Sequence, residues 1–141
     1  MSAACDAVPA NSARGTLADV QRHLERLLKA SDPHAFLVIE LQGTTHFLQF
    51  TANAGAIEMD YPLVSKEQRQ REDVLRTFCT GAGLRLRQTQ GSDGTRFLDC
   101  DLPHNIAPAA AIVRRALEEL FGATSTTQFL FSGDGLPKVA A

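Results

Sequence analysis

The sequence predicts an α+β fold: an antiparallel five-stranded sheet with three helices, in the order α-β-β-β-α-β-β-α. Three observations predict it. The hydrophobic period switches between helical and alternating along the chain. The links between the alternating segments are short, which forces antiparallel neighbours. The 141 residues, 44% hydrophobic and 21% charged, suit one globular domain with its own core.

Residues 1–15 read as a flexible N-terminal arm, 16–123 as a single domain, and 124–141 as a C-terminal tail. Thr16 offers a helix N-cap, with Asp19 three residues on in a capping-box position. Leu17, Val20, Leu24, Leu27 and Leu28 then make one apolar stripe, and Ser31-Asp32-Pro33 ends the helix. Phe36 to Leu41 is a nearly continuous apolar run, expected as a strand covered on both faces. Gln42-Gly43-Thr44-Thr45 turns the chain into His46–Thr51, and Asn53-Ala54-Gly55 turns it again into Ala56–Tyr61. In that third strand Ile57, Met59 and Tyr61 alternate with Glu58 and Asp60, the pattern of one wet face.

Pro62 closes the meander, and Ser65 begins a second helix with Gln68 at the capping-box position. Lys66 to Asp73 contains no apolar residue, whereas Val74, Leu75, Phe78 and Cys79 give the second half a buried face. A solvated first half is expected, or one that leans on a second subunit. Gly81 and Gly83 end it, and Leu84 and Leu86 alternate with Arg85 and Arg87 in a half-buried strand. Gly91-Ser92-Asp93-Gly94 turns into Arg96–Asp101, with Leu98 and Cys100 on one face and Phe97, Asp99 and Asp101 on the other. Pro108 suits the first turn of the third helix, and Gly122 its C′ position. Phe129-Leu130-Phe131 is too apolar for a linker and is expected as a short edge strand or a clip onto the core.

The chemistry is sparse. A net charge of −2 gives no long-range pull on nucleic acid or an anionic membrane, and no apolar run approaches a span of about 20 residues. The first fifteen residues lack the basic and apolar regions of a signal peptide, so a cytoplasmic location is expected. Cys5, Cys79 and Cys100 show no CxxC spacing, and the simple expectation is two small buried hydrophobes and one tail thiol. Asp99-Cys100-Asp101-Leu102-Pro103-His104 invites a cysteine-hydrolase reading, but alternation turns Cys100 away from both aspartates. His23, His34 and His46 are scattered without ligand spacing. No catalytic, metal or cofactor-binding residue is assigned. Arg69, Arg71, Arg76, Arg85, Arg87 and Arg96 are candidates for one basic side, but stacking aromatics are scarce, and nucleic acid is not an expected partner.

Surface is what remains. Phe47 and Phe97 lie opposite the inward residues of their strands, where a solvent face should be polar. They mark a covered surface: covered by the tail, by a second subunit or by a client segment. Val74 and Phe78 of the second helix, with Leu84 and Leu86 of the next strand, are the companion candidates for protein binding and self-association.

The residues Phe36-Leu37-Val38-Ile39-Glu40, His46-Phe47-Leu48-Gln49-Phe50, the Ile57-Glu58-Met59-Asp60 alternation, Leu84 after the glycines and the Ala109-to-Gly122 helix carry a likeness. The element order resembles the class I type III secretion chaperone fold, and the sequence looks closer to its non-secretion relatives, the YbjN-like and TY-Chap families of bacteria. The likeness spans roughly residues 16–123 and is a pattern of apolar and turn residues rather than a catalytic signature. It implies a compact, often dimeric, cofactor-free protein that binds polypeptide, partly by extending its sheet. The expectation is therefore a non-enzymatic, chaperone-like protein-binding module, a homodimer with a protein or peptide client. The alternative is a small regulatory or immunity-type protein that blocks one folded partner. A cysteine-dependent hydrolase is the weakest reading.

Overall fold

The computed structural model describes residues 12–137. Its sheet has seven antiparallel strands: β1 Ala13–Gly15, β2 Phe36–Leu41, β3 Phe47–Asn53, β4 Ala56–Pro62, β5 Leu86–Gln90, β6 Arg96–Asp101 and β7 Phe129–Asp134. They lie in the order β1-β7-β2-β3-β4-β6-β5. Four helices accompany them: α1 Val20–Lys29, entered by a 3-10 turn over Leu17–Asp19, then α2 Lys66–Gln70, α3 Glu72–Gly81 and α4 Ile106–Phe121.

The class is the expected α+β, but five strands and three helices was wrong. The five predicted strands hold their places as a meander and a hairpin, with β4 beside β6. The sixth is the tail. Phe129–Asp134 is not an outer edge strand but enters between β1 and β2, its Phe131 opposite Ile39. Gly133 makes that approach possible, since a Cβ there would overlap the Phe36 carbonyl. The seventh, β1, is three residues that carry no period of their own and exist as a strand by pairing with β7.

The extra helix comes from a break. At Arg71 the N–H bonds back to the Gln68 carbonyl, and its φ of −92° and ψ of −2° end α2 and start α3. Within α2 only Gln68 is buried, and it works through polar atoms. Its side-chain oxygen accepts from the N–H groups of Val64 (3.0 Å) and Ser65 (2.9 Å), the Gln68 N–H donates to Ser65 Oγ at 3.1 Å, and the Tyr61 hydroxyl donates to the Gln68 carbonyl at 3.1 Å. The predicted capping box is present. The helix it starts is docked by hydrogen bonds, with no apolar stripe to carry it further.

The core is the helix-facing side of the sheet. Leu37, Ile39, Leu48, Phe50, Tyr61, Leu98, Cys100, Phe129 and Phe131 are buried there against Val20, Leu24 and Leu27 of α1 and Ala110, Val113, Ala116 and Leu117 of α4. Each fully buried large side chain contributes about 1.5–3 kcal/mol. α1 also buries His23 and Arg26. The His23 ring stacks on Phe131 at 4.2 Å, while Arg26 Nε donates to the Pro137 carbonyl at 2.9 Å and so fastens the chain after β7. Burial, then the charge of Arg26, lowers the His23 pKa to about 4, so its ring is neutral at pH 7.

Candidate functional site

None of the described helices lies on the other side of the sheet. Strand alternation sends Phe36, Val38 and Glu40 of β2 there, with Phe47 of β3, Pro62 of β4, Phe97 of β6 and Leu130 of β7. Phe36, Val38, Phe47, Phe97 and Leu130 are half-buried, and none of them packs against the core. The expectation that β2 is covered on both faces is therefore not met: its burial alternates strictly over Phe36–Glu40.

The same face is acidic. Its strand residues include six carboxylates (Glu40, Glu58, Asp60, Asp99, Asp101 and Asp134) against the two guanidiniums of Arg14 and Arg87. Register puts Asp60 opposite Asp99 and Glu58 opposite Asp101. Oxygens of Glu58, Asp60 and Asp99 lie within 4.8 Å of one another, the one group of three among the described residues with the spacing of metal ligands. Arg87 neutralises the rim, donating to Glu58 Oε1 at 2.6 Å and to both oxygens of Asp101 at 3.0 and 3.2 Å. The Thr89 hydroxyl donates to Asp99 Oδ2 at 2.6 Å. Asp60 Oδ1 is buried with no partner. Burial first, then its hydrogen bonds with Asp99 and Glu58 and their charges, push the Asp60 carboxyl up to about 9, so it holds a proton at neutral pH. Beside Glu58 and Asp101 a polar hollow of about 330 Å³ opens, lined also by Thr51, Asn53, Ala56 and His104.

Sequence reasoning places these carboxylates on wet faces but does not unite them. Asp60 and Asp99 meet because β4 and β6 are neighbours, a pairing between strands separated in sequence by two helices and β5.

The six candidate binding residues divide into two sets on opposite sides of the sheet. Phe47 and Phe97 stand on the open face. The described part of the tail does not cover them, because Phe129 and Phe131 point into the core. Val74 and Phe78 line a shallow cleft of about 460 Å³ between α3 and α4, with Arg115 lying over the Phe78 ring at 5.6 Å. Leu84 and Leu86 pack partly buried against the core on that same side. The arginines form no single basic side: Arg76 and Arg96 converge on Glu72 of α3, at 2.8 and 3.6 Å, while Arg87 serves the open face.

The hydrolase cluster comes apart as alternation foretold. Cys100 is buried on the helix side next to Cys79, both thiols free, and Cys79 together with burial pushes the Cys100 thiol far up. A nucleophilic thiol needs the opposite shift and an exposed sulfur. His104 opens onto the hollow on the other face. Cys5 lies outside the described residues. None of the helices in the described residues is long and apolar enough to cross a membrane.

No family model matches the chain, and neither a curated protein nor a solved structure matches it.

Proposed function

We propose that this protein is a non-enzymatic, chaperone-like module that binds polypeptide on the open face of its sheet. One observation carries the reading: five large apolar side chains lie half-buried on a face that no described helix covers and that takes no part in the core. A solvent-facing antiparallel sheet is ordinarily polar, and large apolar side chains gathered on one face mark an interaction surface. The same activity is what the resemblance to type III secretion chaperones and the YbjN-like families implies. A cytoplasmic setting accords with two free, buried thiols.

A photo-crosslinking phenylalanine at position 97 tests it, with the same residue at the exposed Glu118 of α4, outside the Val74–Phe78 cleft, as control. Position 97 should capture an unfolded, reduced model client and position 118 should not. Equal capture at both positions, or none at either, would overturn the reading. Limited proteolysis of the captured partner separates a client segment from a folded target: a client is trimmed to a short protected piece, whereas a blocked folded partner survives whole.

Self-association is the second part of the proposal, and the β5 edge supports it. β5 ends the sheet, and Leu86–Gln90 contains neither the proline nor the lysine that commonly guard an edge. A second copy pairing there would bring α3 and its cleft close to the joint. Light scattering with size exclusion should give a dimer mass at tens of micromolar, and Gln88→Pro should return a monomer. A monomer throughout would sink this part and leave client binding standing.

A further inference from the structure

The open face has an order that says what kind of segment it fits. On neighbouring strands β4 and β6 the facing pairs run Pro62–Phe97, Asp60–Asp99 and Glu58–Asp101. Each row is two residues from the next, about 6.8 Å along the strand. An extended chain repeats its own side chains on one face at that same interval. We propose that this face takes an extended segment that is apolar and basic, with an aromatic or aliphatic residue at i against Phe97 and Pro62, and lysine or arginine at i+2 and i+4 over the two carboxylate rows.

The inference rests on the reading that the open face binds polypeptide, and it names that polypeptide's chemistry. Charge complementarity decides the sign, since carboxylates outnumber guanidiniums six to two across the face. Arg87 supplies Glu58 and Asp101 in part, but nothing supplies Asp60 Oδ1, which is buried and bare at the middle row. The third row ends at the 330 Å³ hollow, where Thr51, Asn53 and His104 offer polar groups around the head of a long basic side chain. The apolar row holds the aromatic pair member Phe97, with Phe47 on the adjoining strand.

A consequence follows for protons. Asp60 is faced by Asp99 from β6, Gln49 from β3, Glu58 on its own strand and Arg87 beyond Asp99 on β5. Burial first, and then the neighbouring carboxyl groups, raise its pKa and disfavour another negative charge there. An arriving ammonium or guanidinium reverses that balance, so the segment's binding releases the proton from Asp60 to solvent.

Two labelled ten-residue peptides test it, one carrying Phe-x-Arg-x-Lys and one with glutamate in place of both basic residues, titrated into the full chain by fluorescence anisotropy and calorimetry at pH 7. The basic peptide should bind at least tenfold tighter, weaken with salt, and release close to one proton as judged in two buffers of different ionisation enthalpy. Asp60→Asn should abolish the proton release, and Asp101→Asn, at an exposed position, should weaken binding several-fold without disturbing the fold. Equal affinity of both peptides, with both lost in Phe97→Ser, would overturn the basic specificity and leave polypeptide binding intact. No binding of either peptide, together with no crosslinking at position 97, would overturn both readings. Saturable calcium or manganese binding that Asp60→Asn removes and the basic peptide does not displace would assign the cluster to a metal ion and overturn the inference.

Discussion

The two faces of this sheet are built from the same strands and obey different rules. On β4 and β6, Met59, Tyr61, Leu98 and Cys100 turn toward the helices and are at most 2% exposed. One residue away along each strand, Glu58, Asp60, Asp99 and Asp101 turn the other way and crowd four carboxylates together. The first face earns stability by excluding water. The second crowds carboxyl groups until one must keep its proton, and leaves a buried carboxyl oxygen unsatisfied, each of which costs stability. Where a fold tolerates such costs beside half-buried aromatics, function is the natural reason for them.

The largest effect that sharpens this contrast lies on the helix side. Phe50 is fully buried at the centre of the sheet, so Phe50→Ala should lose about 3–5 kcal/mol through transfer and cavity terms together. Denaturant titration measures it. A loss no greater than that of an open-face aromatic would erase the distinction between the faces.

The helix side was also the side legible in the sequence. The stripe of α1, the alternation of β4 and β6, and Leu75, Phe78 and Cys79 of the second helix name core residues directly, because burial acts on local period. What escaped depends on pairing at a distance. β1 is a strand only because β7 lies beside it, and β7 sits beside β2 because the chain returns from its far end. The α2–α3 break was hidden for another reason: Gln68 docks α2 through hydrogen bonds, which leave no apolar period to read. The candidate site was half legible. Phe47 and Phe97 stand out as aromatics on a wet face, whereas the Asp60–Asp99 contact needs the β4–β6 pairing that no period reveals. The burial of His23 is also hidden from local period, since it stacks from α1 on Phe131 of β7, a strand that the far end of the chain brings back.

The next effect in size is one of pH, and the faces should show opposite slopes. The native His23 pKa of about 4 lies below the ordinary value, so between pH 6.5 and 4 the unfolded chain binds the extra proton and stability falls as pH falls. Asp60 is the reverse. Its native value of about 9 means that the folded state binds the extra proton from pH 4 upward, and stability falls as pH rises through that window. Asp60→Asn removes the alkaline slope and leaves the acid one. At pH 8 the variant should be more stable than the parent by about 2 kcal/mol, far less than the full shift would convert to, because water reaches and screens the cluster. Urea titrations from pH 4 to 9 would show it. An unchanged alkaline limb would mean that Asp60 is ionised beside Asp99, and the open face would lose its proton.

The smallest effect on stability discriminates most sharply on function. Phe97 lies opposite Pro62 and Thr89 in its strand pairs and is not among the side chains packed against the core. Phe97→Ser should therefore cost under about 1 kcal/mol, in the range of surface changes rather than core ones. Pairing the urea midpoint with the peptide affinity separates two reasons for an aromatic to be there. If Phe97 serves the fold, stability and affinity fall together, and Phe97→Leu restores both. If it serves a client, the midpoint barely moves while affinity drops at least tenfold, and Phe97→Leu restores only part of it. The second outcome is the expected one, since a side chain that no described helix meets has little to give the fold and a ring face to give a partner.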